Sequence, residues 1–100
     1  MPIRHCVVFK FADDTTEEQV MALSEGLARL PGVIDELVDY RFGHDIGEND
    51  TSWDFAVVAD CADLEGYRAY RDHPEHQALI RDLVQPIVVE RRSVQFAMPD

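Results

Sequence analysis

The sequence is poor in basic residues, in cysteine and in the residues that interrupt regular structure. Its 100 residues hold nine lysines and arginines against 20 aspartates and glutamates, which gives a net charge of −11 at pH 7. Phosphate backbones and anionic lipid headgroups repel such a surface, so neither nucleic acid nor a membrane is expected as a partner. Two cysteines are too few for a disulfide scaffold. Five prolines and five glycines exclude collagen-like and linker-rich chains.

Long apolar segments are also missing. No run approaches the roughly 18 apolar residues that a membrane span requires. The N-terminus, from Met1 to His5, has no apolar signal core, so we expect a cytoplasmic protein. Hydrophobic residues make up 46% of the chain and charged residues 29%, which is typical of a soluble globular protein. The length fits one domain, residues 1–100.

The spacing of apolar residues predicts the order βαββαβ. Alternation predicts strands over 3–11, 37–43, 53–61 and 91–98. Stripes at three- and four-residue spacing predict the helices, the second of which breaks at His73-Pro74. A capping box, Thr15 with Glu18 or Thr16 with Gln19, marks the start of the first helix. This order is the ferredoxin-like α+β topology, a four-stranded antiparallel sheet with helices on one face.

Periodicity also predicts which residues face inward. On the second strand, Val38, Tyr40 and Phe42 share one face. On the helices, the expected inward residues are Val20, Leu23, Leu27, Leu30, Leu64, Tyr67, Tyr70, His76, Leu79, Ile80 and Leu83.

The second face of the sheet has a mixed composition. Its expected apolar members are Cys6, Val8, Ala56, Val58 and Ala97, and its expected polar members are Arg4, Arg41 and Ser93. Such a face is too apolar for full exposure to water and too polar for a monomer core. We therefore predict a homodimer whose two sheets pack face to face.

Four side chains that can donate or accept protons are candidates for a functional site. Three of them occur together, and the fourth interrupts the apolar face of a strand. Tyr70, His73 and His76 lie around the break between two helices, and His5 lies on the first strand. If helices cover that strand face, His5 and His76 point into the same interior space, where histidine can act as a base. His76 could equally be a core histidine satisfied by backbone groups, and His73 is interpreted as the cap of the next helix. The i, i+3 histidines could share a metal, but a site usually needs three or four ligands, so no metal is predicted.

Two segments resemble a known family. Ile3 to Phe11 resembles the opening strand of the stress-responsive α/β-barrel (Dabb) proteins. Tyr70-x-x-His73-Pro74-x-His76 is similar to the most recognisable motif of that family. The resemblance extends from residue 3 to about residue 98, and it implies a dimeric α+β barrel.

The resemblance also implies a chemistry. The family includes a plant polyketide cyclase, olivetolic acid cyclase, which closes a linear poly-β-ketone by aldol condensation. By this resemblance, His76 takes the acidic proton between two carbonyls, and Tyr70 holds the carbonyl that becomes an alkoxide. The cyclase has a histidine near the position of Phe55. No cofactor is expected, and the residues expected to bind a small apolar or polyketide-like molecule are His5, Val7, Phe9, Phe55, Val57, His73 and Leu79.

Two alternatives remain open. The chain could be a non-catalytic dimer, either binding an apolar metabolite or associated with stress. It could also be a haem-handling or monooxygenase-type relative, because such proteins occur on the same dimeric barrel; only the shared fold suggests this.

Overall fold

The strands and helices follow one another in the predicted order. The computed structural model describes residues 1–99; Asp100, the last residue of the predicted domain, lies outside them. The elements are β1 (Ile3–Phe11), α1 (Glu17–Arg29), β2 (Leu37–His44), β3 (Phe55–Cys61), α2 (Leu64–Asp72), α3 (Pro74–Leu79) and β4 (Val88–Ala97). A 3₁₀ turn, Leu30–Gly32, follows α1, and a π-helical turn, Ile80–Val84, follows α3.

The four strands form one antiparallel sheet in the order β2-β3-β1-β4. His5 on β1 lies opposite Ala59 on β3 and Gln95 on β4, and Tyr40 on β2 also lies opposite Ala59. Directly opposed residues share a face of a sheet, so these four side chains lie on one face. The predicted ferredoxin-like α+β fold is confirmed.

The core lies between the sheet and the helices. Alternate residues of β1 and β3, among them Val7, Phe9 and Val57, are buried against α1, which contributes Leu23 and Leu27. The start of α1 is fixed by a capping box. Thr16 Oγ1 accepts from the Gln19 amide at 3.2 Å, and the Gln19 side chain accepts from the Thr16 amide at 2.9 Å. Of the two predicted boxes, the second is therefore the one that forms.

Two residues predicted to face inward, Val38 and Leu64, do not. A register irregularity between Leu37 and Asp39 leaves Val38 exposed, because the alternation of β2 is interrupted there. Leu64, in the first turn of α2, is also exposed. After α3, the π-helical turn adds a residue to the helical repeat, and Val84 is buried there. Leu83, which was predicted to face inward, is half-buried and packs against the core.

The last strand also differs from its prediction. It begins at Val88 rather than at residue 91, and β3 begins at Phe55 rather than at residue 53. Ser93 and Ala97 lie opposite Val7 and Ile3, on the face that the helices cover. The prediction that placed them on the second face is wrong, because the register of β4 was not fixed by the sequence.

The second face combines exposed apolar side chains with an ion pair. Val8, Val94 and Phe96 are 40%, 58% and 45% exposed. Arg4 binds both carboxylate oxygens of Asp60 across β1 and β3, at 2.7 and 2.8 Å. The hydrogen bonds from Arg4 lower the pKa of Asp60.

Within residues 1–99, no helix has both the length and the apolar character needed to cross a bilayer.

Candidate functional site

A cavity of about 370 Å³ lies between the sheet and the helices that follow β3. Seven residues predicted for the site line it, and these are His5, Val7, Phe9, Val57, Tyr70, His76 and Leu79. The sequence interpretation had not assigned several further wall residues to the site, among them Tyr40, Tyr67, Arg91, Ser93, Gln77 and Gln85. The structure therefore brings both predicted catalytic residues and five predicted binding residues to one cavity.

Two predicted binding residues lie outside this cavity. Phe55 is buried in the core, where its ring lies 6.3 Å from that of Phe9 and 6.4 Å from that of Phe42. His73 faces the helix break, and its Nδ1 accepts a hydrogen bond from the Glu75 amide at 3.1 Å. His73 is the N-cap of α3, which confirms its interpretation as a helix cap.

Pro74 creates the hydrogen-bond acceptor that holds His76. Proline has no amide hydrogen, so α2 ends there, and the amide of Glu75 is used by the His73 cap. The carbonyl of Arg71 is therefore free to accept from side chains. His76 Nδ1 lies 2.9 Å from this oxygen, and Gln77 Nε2 donates to it at 2.6 Å.

This hydrogen bond fixes the tautomer of His76. A carbonyl oxygen can only accept, so the Nδ1 atom of His76 must carry the hydrogen. In the neutral ring, Nε2 then keeps a lone pair that can take a proton. Both sequence interpretations of His76 hold in part, because the ring is satisfied by backbone on one side and lines the cavity as well.

Tyr70 contacts His76 through its ring rather than through its hydroxyl. The two ring centroids are 4.3 Å apart at an angle of 31°. The Tyr70 hydroxyl instead lies 3.4 Å from the hydroxyl of Tyr40, which lies on β2. Burial raises the pKa of Tyr40 to about 12 and raises the pKa of Tyr70 as well. Both phenols are protonated at neutral pH, so they can donate to a substrate oxygen.

His5 is held by the edge strand. Its Nδ1 lies 2.8 Å from Gln95 Nε2, and because an amide nitrogen donates, the neutral ring carries its hydrogen on Nε2. Burial, followed by the charges of His76 and Arg91, lowers the pKa of His5 to about 4. Burial also lowers the pKa of His76, although its hydrogen bond to Arg71 opposes this. Both rings are therefore neutral at pH 7.

The lowered pKa of His5 makes stability depend on pH. The folded-state pKa of about 4 lies below the unfolded value of 6.5, so this contribution is present above pH 6.5 and is lost as the pH falls towards 4. His5 is partly exposed, which reduces the expected effect. Between pH 7.5 and pH 5, we expect the free energy of unfolding to fall by about 1–2 kcal/mol more in the wild type than in His5→Gln. Urea unfolding at one protein concentration measures this. Equal losses in the two proteins would contradict the expectation.

His73 and His76, the two histidines considered as metal ligands, are not part of a larger group of such ligands in the part of the chain that the structure describes. Within residues 1–99, no group of three or more histidine, cysteine, aspartate or glutamate side chains is arranged to hold a metal ion. The Nδ1 atoms of His73 and His76 are both used in hydrogen bonds to the backbone.

Two of the wall residues that the sequence interpretation missed, Arg91 and Ser93, lie on β4. Arg91, Ser93 and Gln95 alternate along β4 and form its polar face. A continuous polar face on a strand of a small sheet must meet either solvent or a polar cavity, and this was the signal available for Arg91 and Ser93.

Comparison with known proteins identifies the family of this chain. The model of the Stress responsive A/B Barrel Domain, Dabb, matches residues 3–98. An uncharacterised protein of Streptomyces coelicolor is 33% identical over 78 residues, which cover 76% of this chain and 80% of the relative. A dimeric ferredoxin-like protein of unknown function from Thermobifida fusca is 43% identical, with a TM-score of 0.91 over 98% of this chain and 92% of the other.

A hydroxynitrile lyase from Passiflora edulis has the same fold. Its TM-score is 0.85 over 99% of this chain and 94% of the other, at 12% identity. The family match spans nearly all of the described sheet and helices, and it includes both segments on which the resemblance was based. The chain belongs to the stress-responsive A/B barrel domain (Dabb) family.

Proposed function

We propose that this protein is a cofactor-independent enzyme that removes a proton beside a carbonyl group, as a cyclase or a lyase of the aldol type does. The observation that carries the proposal is the hydrogen bond from His76 Nδ1 to the Arg71 carbonyl, because it leaves Nε2 as an acceptor in a cavity wall. A neutral imidazole with a free nitrogen is a suitable general base at neutral pH.

The proton and the electron pair each have a destination. His76 Nε2 takes the proton from the carbon, and the electron pair of the C–H bond moves to the carbonyl oxygen as an enolate. Tyr70 and Tyr40, whose hydroxyls lie 3.4 Å apart, provide protonated donors for that oxygen. In a cyclisation, the enolate carbon then bonds to a second carbonyl carbon. The oxygen of that carbonyl becomes an alkoxide and takes up the proton held by the His76 imidazolium, which returns His76 to its neutral form.

The distant lyase supports this proposal only through its fold. At 12% identity, the hydroxynitrile lyase shows that the fold can carry lyase chemistry, and it assigns no residue role to this chain. The residue roles rest on the geometry of His76, Tyr70 and Tyr40. The alternative of a non-catalytic binding protein uses the same cavity and differs in predicting no conversion.

Deuterium exchange provides a direct test. Benzoylacetone, a 1,3-diketone with acidic hydrogens between two carbonyls, is incubated in deuterated buffer with the protein, and NMR follows the loss of the CH₂ signal. We expect the protein to make the deuterium exchange of benzoylacetone faster than in buffer alone. We also expect the exchange rate to saturate as the concentration of benzoylacetone is raised. Exchange no faster than with an equal concentration of free imidazole would contradict it and would favour the non-catalytic alternative.

We also propose that this protein is a homodimer, because the relative from Thermobifida fusca is dimeric, and that the two sheets of the dimer pack face to face. Exposed Val8, Val94 and Phe96 make the second face apolar enough to require a cover. A charge placed at Val8, on a central strand, would be buried without a partner in such an interface.

The assembly can be tested by changing one residue. We expect the wild type to have twice the 11.4 kDa mass of one chain, and Val8→Arg to have the mass of one chain. Light scattering at micromolar concentration measures both. Met21→Arg is the control, because Met21 is an exposed apolar residue on α1, which covers the other face of the sheet, and this variant should stay dimeric. A Val8→Arg protein that stays dimeric would argue against this interface.

A further inference from the structure

The wall of the cavity is positively charged in a strongly acidic protein. The chain has 20 aspartates and glutamates in 100 residues, yet none of those within residues 1–99 lines the cavity. Arg71 and Arg91 line it, together with His5 and His76. An anion that is repelled by most of the surface would therefore meet a favourable potential here.

The two arginines differ in whether their charge is already used. Both carboxylate oxygens of Asp72 bind the guanidinium of Arg71, at 2.9 and 3.0 Å. None of the five ion pairs formed within residues 1–99 includes Arg91. The guanidinium of Arg91 is therefore the charge in the wall that remains available to a ligand.

The register of the sheet places Arg91 on the functional face. Arg91 lies opposite Phe9, on the face that also carries His5. Arg91 lines the same cavity as His5 and His76, and its positive charge contributes to the lowered pKa of both rings. Arg91 is exposed and also lines an adjoining groove with Val88, Val89 and Glu90, and the carboxylate of Glu90 lies 4.0 Å from Lys10 Nζ. Arg91 thus stands where the cavity opens to solvent.

We infer that Arg91 binds a carboxylate of the ligand, so that the cavity prefers a keto acid to a neutral ketone. A guanidinium pairs with a carboxylate through two parallel hydrogen bonds, which fixes the orientation of the bound molecule. One unpaired arginine balances one negative charge, and the net charge of −11 disfavours a phosphate dianion. The keto part of this inference rests on the proposed function, whereas carboxylate binding does not.

Two probes that differ by one charge test the inference. 4-Oxo-4-phenylbutanoate carries an aryl ketone and a carboxylate, and 4-oxo-4-phenylbutanamide is its neutral counterpart. Isothermal titration calorimetry with the full chain should show about tenfold tighter binding of the carboxylate. Arg91→Gln should remove this preference, and Arg91→Lys should restore part of it.

Arg92→Gln is the matched control. Arg92 is the next residue of β4 and faces away from the cavity, with its guanidinium carbon 6.0 Å from the ring centre of Trp53. This variant makes the same change in net charge, so it should keep the tenfold preference. Equal loss of preference in both variants, equal binding of the two probes, or no binding of either at millimolar concentration would overturn the inference.

One further variant separates this inference from the proposed function. His76→Gln removes the proposed base and keeps Arg91, so it should still prefer the carboxylate. If the wild type shows that preference but no deuterium exchange, carboxylate binding stands and the enzymatic proposal fails. If exchange is catalysed and Arg91→Gln does not change the preference, the enzymatic proposal stands and the role of Arg91 fails.

Discussion

His76→Gln should slow deuterium exchange of benzoylacetone by about 100-fold or more, which is the usual contribution of a positioned general base. Glutamine can still donate its side-chain amide towards the Arg71 carbonyl, so the helix break keeps its hydrogen bond. It has no nitrogen lone pair that accepts a proton at neutral pH. The variant should therefore fold normally but no longer accelerate the exchange of benzoylacetone. Circular dichroism measures the folding, and NMR measures the exchange rate.

His44→Gln is the control for this prediction. His44 is the last residue of β2 and lies outside the cavity. Its Nδ1 atom lies 3.1 Å from the backbone carbonyl oxygen of Asp45, which resembles the contact of His76 with the Arg71 carbonyl. The same substitution there should leave the exchange rate within about twofold, since surface changes away from a site have small effects. A His76→Gln protein with full activity would show that another group is the base.

The acid side of the rate profile follows from the same base. Because burial lowers the pKa of His76 below its ordinary value of 6.5, the ring stays neutral at pH 7. We expect the exchange rate per enzyme, corrected for the buffer, to fall only at a pH below 6.5, as the ring takes up a proton. A fall that begins well above pH 7 would contradict a neutral His76 as the base.

Leu23→Ala should lower the free energy of unfolding by about 3–4 kcal/mol. Leu23 lies on α1 with none of its surface exposed, within the core formed with Phe9 and Val57. Truncation removes buried methyl groups and leaves a cavity between the helix and the sheet, and both effects destabilise the fold. Urea unfolding at a fixed protein concentration measures the change.

Met21→Ala on the same helix is the control. Met21 is 61% exposed, so its truncation should change the free energy of unfolding by no more than about 0.5 kcal/mol. A difference of less than about 1 kcal/mol between the two variants would mean that the interior around Leu23 can collapse or is not the main core.

The elements of this fold follow mainly from local signals in the sequence. Thr16 with Gln19 begins α1, Asp63 caps α2, and His73-Pro74 separates α2 from α3. Each signal acts over a few residues, because a cap or a proline satisfies or removes hydrogen bonds in its own turn. The alternation on β1 and β3 also predicted most of the buried sheet face.

The site was predicted only where its residues fall on such local patterns. His5, Tyr70 and His76 interrupt or end apolar stripes, and all three line the cavity. Phe55 was expected to bind ligand, but its end of the strand face that it shares with Val57 is filled by other aromatic rings. Alternation identifies a face, and packing decides which part of that face stays open.

The sequence by itself determined the order of the elements, the helix boundaries and the break that positions His73 and His76, because these depend on neighbours in the chain. Only the tertiary structure decided which face of β4 meets the cavity, since the register of an edge strand depends on pairing across the sheet. It also brought the Tyr40 hydroxyl to that of Tyr70, across 30 residues of chain. Arg91 belongs to the site for the same reason, because long-range pairing alone places it beside His5 and His76.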